Sequence, residues 1–358
     1  MARSTAVNAK EERVLTLREL NRALLERQML LKRKRLGVQE AVERLCALQA
    51  QYSLSPYIAL WSRLTGFQRE QLTRALEGRE VVKSTLFRIT LHITSARDYP
   101  YFAAAFLPAA REMTARVTPE QTAKLSRKVH AASKKPIDAR TTRSARSGRD
   151  GRPLANAHTR AAPASTSEPG RGGSAGRPTL LGMKTWLGVD LPDREEGAKR
   201  IVERHLAAFG PATQQDLLRF AGVRVGDLRP GLEQLELRAF RDERGRKLLD
   251  LPRAPLPDGE TPAPIRFLPK WDSSILAYAP PERTRILPEK FRSTVIRKNG
   301  DVLPTVLVDG FVAATWNIDR KARARARAAA AVDEGGTRGD RRGGRAPRRD
   351  SSATRGLM

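Results

Sequence analysis

The sequence predicts an α+β fold, mainly α, built from repeated units of three helices and strands and closed by a small antiparallel β-barrel or sheet. Three observations predict it. Apolar residues recur at helical spacing through residues 17–76 and then give way to a β-branched stretch over 81–95. The same order returns over residues 195–251. Between residues 265 and 316 the helical period is lost, and short apolar runs alternate with glycine turns.

Leu20, Leu24, Leu25 and Leu31 space a first helix over 17–31. Gly37 opens a second, with Val38, Ala41, Val42, Leu45 and Leu48 on one face, running to about Gln51. Gln49, seven residues after Val42 and four after Leu45, shares that apolar face, and Gln51 falls on the other side or in the turn where the helix ends. Further helices cover Tyr57–Leu64 and Arg69–Leu76, stopped by Gly66 and Gly78. Val81–Ser95 reads as strand. In it Arg88, Thr90 and His92 alternate with Ile89, Leu91 and Ile93, so the polar set is expected on a face turned away from the core. Helices followed by strands is the winged-helix order, here over residues 15–98.

Residues 99–194 carry the low-complexity stretch 138–177, which lacks the apolar surface to offset ordering entropy. The helices-then-strands order returns over 195–261. Glu196–Phe209 is a helix ending at Gly210-Pro211, and Thr213 and Asp216 form a capping box opening Gln214–Ala221. A helix over Gly226–Leu237 follows, then strand, charged turn (Asp242–Gly245) and strand, the pattern of a wing. Residues 262–318 hold the predicted barrel or sheet, with strands at Ile265–Leu268, Ile275–Tyr278, Val295–Arg297, Thr305–Val308 and Phe311–Trp316. Asn299-Gly300 and Asp309-Gly310 mark its tight turns. Residues 319–358 read as a basic disordered tail.

Lys and Arg outnumber Asp and Glu by 67 to 39, a net charge of +28. Residues 124–177 carry +10 of it and 321–358 carry +7, which leaves +11 on the rest. A chain this basic attracts polyanions by releasing their counterions. Arg241, Arg244, Arg246 and Lys247 on the wing, and Arg297-Lys298 before Asn299, are cations on loops suited to phosphate or groove contact. Cys46, the one cysteine, excludes an internal disulfide and a thiolate-rich zinc site. His92 has no second ligand at suitable spacing, so neither metal nor cofactor is expected. Asp272 and Asp301 read as turn or capping residues. The chain contains no phosphate loop, no dinucleotide-binding glycine pattern and no apolar run of the roughly 18 residues that a membrane span needs.

Leu45-Cys-Ala-Leu-Gln-Ala-Gln51, Pro56-Tyr-Ile-Ala-Leu-Trp61 and Arg88-Ile-Thr-Leu-His92 occur together with Ala208-Phe-Gly-Pro-Ala-Thr213, Arg266-Phe-Leu-Pro-Lys-Trp-Asp272, Val306-Leu-Val-Asp-Gly310 and Ala313-Ala-Thr-Trp316. By these motifs the chain resembles the winged-helix DNA-binding family that includes the AlkZ- and YcaQ-type DNA glycosylases, over residues 15–135 and 178–318. The resemblance implies three tandem winged helices, the second of them incomplete over residues 99–194, and a small β-barrel around a basic channel for duplex DNA, with a catalytic Gln-x-Gln motif on Gln49 and Gln51. Two stretches, 138–177 and the Arg-Ala repeats after Trp316, depart from the family pattern and look like GC-rich coding sequence read in a shifted frame.

A glutamine cannot act as a general base at neutral pH, but it can orient a water or hydrogen-bond a developing charge. An N3- or N7-alkylated purine carries positive charge and leaves without protonation, so such a site suits alkylated (or crosslinked) purines and not undamaged bases. The alternative is a non-catalytic DNA-binding protein or regulator, which would prefer one operator sequence. The expected partner is duplex DNA, bound by a cytoplasmic, nucleoid-associated monomer, with Arg88, Thr90 and His92 on the DNA-facing strand.

Overall fold

The computed structural model of the chain describes residues 12–113, 137–138, 163–167, 178–182, 189–319 and 322–328. Helix α1 (Leu17–Arg27) opens on a capping box between Thr16 and Glu19 and buries Leu20, Leu24 and Leu25. Helix α2 (Val38–Arg44) is shorter than its spacing predicts. The chain leaves it at Cys46, in the left-handed region at φ 65°, and Leu48–Gln49 becomes strand β2. The reason is long-range pairing. Leu48 stands opposite Ile93, Gln49 opposite His92, and the Ala50 amide donates to the Leu91 carbonyl at 2.8 Å. Those partners take backbone groups that a longer helix would have bonded within itself.

Helices α3 (Ser55–Arg63) and α4 (Arg69–Glu77) follow, then β3 (Val81–Leu86) and β4 (Thr90–Ser95). The predicted single strand is therefore a hairpin, turning through a 3-10 segment at Phe87–Ile89. Strands β5 (Ile137–Asp138), β6 (Pro163–Ser167) and β7 (Pro178–Gly182) continue this sheet in the order β2-β4-β3-β6-β7-β5. Pro163–Ser167 thus lies in a strand where the sequence predicts none; most of the 138–177 stretch is outside the described residues.

Helix α5 (Tyr99–Met113) packs on α6 (Arg194–Phe209) so closely that a Cβ on Gly197 would meet the Tyr101 carbonyl at 2.5 Å. Asp193 caps α6, and the expected box of Thr213 and Asp216 opens α7 (Gln214–Ala221). Helix α8 (Val225–Glu233) precedes β8 (Arg238–Asp242) and β9 (Lys247–Asp250). Strand β1 (Val14–Leu15) lies parallel along β8 as a third strand.

The last region holds β10 (Arg266–Leu268), helices α9 (Ser273–Leu276) and α10 (Arg292–Val295), then β11 (Thr305–Val308), β12 (Phe311–Asp319) and β13 (Ala322–Ala328). Its four strands pair in the order β10-β11-β12-β13, an open sheet and not a closed barrel among the described residues. Asp309 and Gly310, both at positive φ, make the expected tight turn. Two predicted strands are corrected. Ile275–Tyr278 belongs to α9 and its end: Ile275 and Tyr278 both face the core, three residues apart, a helical spacing in a segment too short to display a period. Val295–Arg297 is the end of α10 and keeps one bridge, from Ile296 to Val302. The tail predicted as disordered contributes β13 to the sheet, and residues 329–358 lie outside the described residues.

One apolar cluster joins the two halves, running from Leu24, Val82 and Phe102 through Ile201, Phe209 and Phe220 to Leu268 and Leu307. Two ion pairs buried within it cross the same boundary. Arg27 holds Asp250 at 2.7 and 2.9 Å, and Arg63 holds Asp272 at 2.8 and 3.0 Å. Such pairs fix how the parts sit more than they add net stability. Among the described residues no helix is long and apolar enough to cross a membrane.

Candidate active site

Gln49 ends the short strand β2, and Gln51 lies two residues on, in the bend that leads toward α3. The helical reading of Gln49 is corrected by the early end of α2, whereas Gln51 lies in a turn beyond the helix, one of the two places the sequence allows. Gln49 is nearly buried, and its Oε1 has no hydrogen-bond partner. An enclosed carbonyl oxygen without a donor is costly unless a ligand or water supplies one. Gln51 is exposed, and its Oε1 accepts from the Leu91 amide at 3.1 Å. A backbone N–H can only donate, so this contact fixes the oxygen toward β4 and leaves the Gln51 NH2 free to donate elsewhere. The two amides thus present opposite polarity, an acceptor from Gln49 and a donor from Gln51.

Gln49 lines a narrow crevice of about 10 Å3, room for about one water, with Ser55 and Arg63 from α3, Gln28 after α1, Trp271 and Asp272 from the β10–α9 connection and Ser273 at the start of α9. The carboxyl of Asp272 is fully engaged. Oδ1 accepts from Arg63 and from the Ser274 amide that it caps, and Oδ2 accepts from Arg63. The capping reading of Asp272 therefore holds, and the crevice offers no unpaired carboxylate to serve as general acid or base. Ser55 and Ser273 also spend their hydroxyls on backbone carbonyls, of Lys270 and Ala47. Trp271 forms one wall, its Nε1 donating to the Gly300 carbonyl at 3.1 Å and Lys270 lying over its ring at 4.6 Å. That bond brings the Arg297–Asp301 turn beside the crevice. Arg297 and Lys298 are exposed there without ion pairs among the described residues, whereas Asp301 pairs with Lys270 at 2.7 Å.

The other predicted contacts are dispersed. His92 stands opposite Gln49 but is buried, because α5 and Phe87 cover the face that the sequence alone leaves to solvent. Burial, with Arg88 second, lowers its pKa to about 3, so the ring is neutral near pH 7. Thr90 opens β4 half-buried, its hydroxyl on the Phe87 carbonyl. Arg88 does not share the strand alternation. It sits in the turn at φ 55° and reaches across to the end of α7, where it donates to the Arg219 and Phe220 carbonyls. Three of the four wing cations are already paired: Arg241 and Lys247 with Glu12, Arg246 with Asp242 and Glu282. Arg244 is exposed and its side chain has no partner among the described residues.

Sequence reasoning missed a further cationic group. Arg219 from α7 and Arg283 from the 3-10 segment Pro280–Arg285 join Arg88, and none of the three makes an ion pair among the described residues. Burial lowers the pKa of Arg88 to about 10, and the charges of Arg283 and Arg219 add to the shift. Nothing in the local sequence announces this group, whose members are 64 or more residues apart. Trp271 and Asp272 did carry a signal, since both lie in a recognised motif. Among the described residues no cluster of His, Cys, Asp and Glu could hold a metal ion.

A family model described as DNA glycosylase AlkZ-like matches residues 42–342. The solved structure of Streptomyces sahachiroi DNA glycosylase AlkZ superposes with a TM-score of 0.70 at 21% identity, covering 86% of this chain and 89% of that one. At that identity the likeness concerns the fold. No curated protein matches the chain.

Proposed function

The chain belongs to the AlkZ-like DNA glycosylase family, and from that premise we propose that it hydrolyses the C1′–N9 bond of N3- or N7-alkylated purines in duplex DNA at the Gln49 crevice. The observation that carries this reading is the Gln49 amide, whose buried oxygen is unsatisfied in a crevice whose carboxylate is locked in an ion pair, with the Gln51 amide two residues on, its oxygen held by the Leu91 N–H and its NH2 left to donate. An undamaged purine needs a general acid at its leaving nitrogen. A cationic alkylpurine does not: it departs with the bonding pair as a neutral base, and the sugar becomes positively charged. Gln49 Oε1 then accepts from the attacking water and orients it toward C1′, and the Gln51 NH2 donates to the base or to a sugar oxygen. Water adds to C1′ and its proton leaves to solvent, giving an abasic site and the free base.

Arg244, Arg297, Lys298, Arg219 and Arg283 supply cations for the phosphate backbone, which sets affinity and register without reading sequence. We also read α2–α4 with β2–β4, and α6–α8 with β8–β9, as winged-helix units. The test is incubation with duplex DNA carrying N7-methylguanine, with abasic sites scored by alkali cleavage. Strand breaks at the lesion and none in the undamaged duplex are expected. A folded protein that binds this duplex and yields no breaks would leave a non-catalytic DNA-binding protein.

A further inference from the structure

Ile89 occupies a position that the chain would ordinarily give to glycine. It follows Arg88 in the β3–β4 turn, and both residues lie in the left-handed region, Arg88 at φ 55° and Ile89 at φ 59°. For a β-branched residue that conformation is a genuine outlier, and each such residue costs energy that surrounding structure must offset. The surroundings do so here. Arg88 is bonded to two carbonyls at the end of α7 and lies over the Phe220 ring at 5.4 Å. Gly222 permits the approach, since a Cβ there would sit 2.8 Å from the Arg88 nitrogen. The Arg88 side chain is thus turned inward as an anchor, and Ile89 is left at the tip of the hairpin, 40% exposed.

A strained residue held by its neighbours so that an apolar side chain meets water calls for a functional account. The place supplies one. Leu91, two residues further on, holds the Gln51 amide, so the exposed isoleucine stands at the margin of the proposed catalytic site. Its neighbour Arg88 is bonded to the Arg219 carbonyl and feels the charges of Arg219 and Arg283. Proteins that open a base stack insert apolar side chains between base steps, and enzymes acting on a base must take it out of the duplex.

We propose that Ile89 is a wedge that enters the base stack beside the damaged nucleotide and holds the duplex open while the lesion lies against the mouth of the Gln49 crevice. The proposal rests on the glycosylase reading above. The rigid turn matters because a flexible tip would lose part of the insertion energy to its own ordering.

The test uses the full chain and Ile89→Gly, with Ile89→Leu as the conservative variant. Glycine relieves the backbone strain, so the thermal midpoint of Ile89→Gly should equal or exceed that of the wild type, which separates a wedge from a structural role. Base release by Ile89→Gly under single-turnover conditions should fall about 10- to 100-fold, the scale of losing help with unstacking of a few kcal/mol. Ile89→Leu should stay within a few-fold of wild type. The fluorescence of 2-aminopurine placed next to the lesion should rise on binding wild type and not on binding Ile89→Gly. Opposite an abasic site, where the lesion is already loosened, the two proteins should release base at similar rates. Ile89→Gly releasing base from an ordinary duplex at the wild-type rate would overturn the wedge and leave the glycosylase reading intact. Bound wild type that leaves the probe fluorescence unchanged would also overturn it. An Ile89-dependent rise in fluorescence without base release would uphold the wedge and overturn the chemistry.

Discussion

His92 and His205 are fully enclosed, and burial lowers each imidazole pKa to about 3, with Arg88 adding to both shifts. In the unfolded chain each titrates near about 6.5. Between those values the unfolded state binds more protons than the folded one, so stability is fully present above about pH 6.5 and is lost as pH falls toward 3. Each ring should lower the folding equilibrium constant roughly tenfold per pH unit within that window. The urea midpoint should therefore drop between pH 6.5 and 4, and neither ring resonance should titrate between pH 5 and 8. A ring titrating near pH 6.5 would contradict the burial. This neutrality was not legible in the sequence. The alternation of Thr90 and His92 with Leu91 and Ile93 gave the two faces of β4 correctly, but α5 and Phe87 cover the polar face, and α5 arrives from a later part of the chain. A second residue-scale expectation concerns Asp272. Removing it strands a guanidinium whose side chain is 1% exposed, so Asp272→Ala should cost about 3–5 kcal/mol of unfolding free energy. A loss below about 1 kcal/mol would show that Arg63 finds water instead.

Elements were legible where local rules decide them. The boundaries of α7 follow from its capping box and from Gly222 in the left-handed conformation, and the β11–β12 turn follows from Asp309-Gly310. They were illegible where distant partners decide. Strand β2 is two residues long and exists because β4, some forty residues later, offers the pairing; the left-handed Cys46 that releases it from α2 has no sequence signature. The wing shows the same limit. Its residues were readable as a charged hairpin, but Glu12 and Glu282, which neutralise three of its cations, come from opposite ends of the chain. Arg244 is left as the cation available to a phosphate. Arg244→Ala should reduce the log–log salt slope of DNA binding by about 1, the share of one phosphate contact, and Arg241→Ala should change it less. Equal effects would mean that the pairs with Glu12 dissolve on binding.

At the scale of the molecule, the halves of the chain share one core, and the crevice lies where they meet: Gln49 and Ser55 from the first, Trp271 and Asp272 from the second. A site built across that boundary works only while the boundary holds, which gives the buried pairs Arg27–Asp250 and Arg63–Asp272 a bearing on activity as well as on stability. The charge is dispersed in the same way. Binding to duplex DNA should weaken steeply from low to moderate salt. Ending the chain after Ala328, which keeps β13, should lower affinity without abolishing it, because most of the basic excess lies before that point. Loss of all binding would place recognition in residues 329–358. The central claim, that the Gln49 and Gln51 amides perform the chemistry, is tested most directly by single-turnover release of N7-methylguanine from duplex DNA by wild type, Gln49→Ala and Gln51→Ala, with affinity and folding measured on the same samples. Orienting groups act in the transition state, so each variant should lose about a hundredfold or more in the chemical step and keep its affinity within a few-fold. A folded Gln49→Ala or Gln51→Ala that releases the base at the wild-type rate would contradict the assignment.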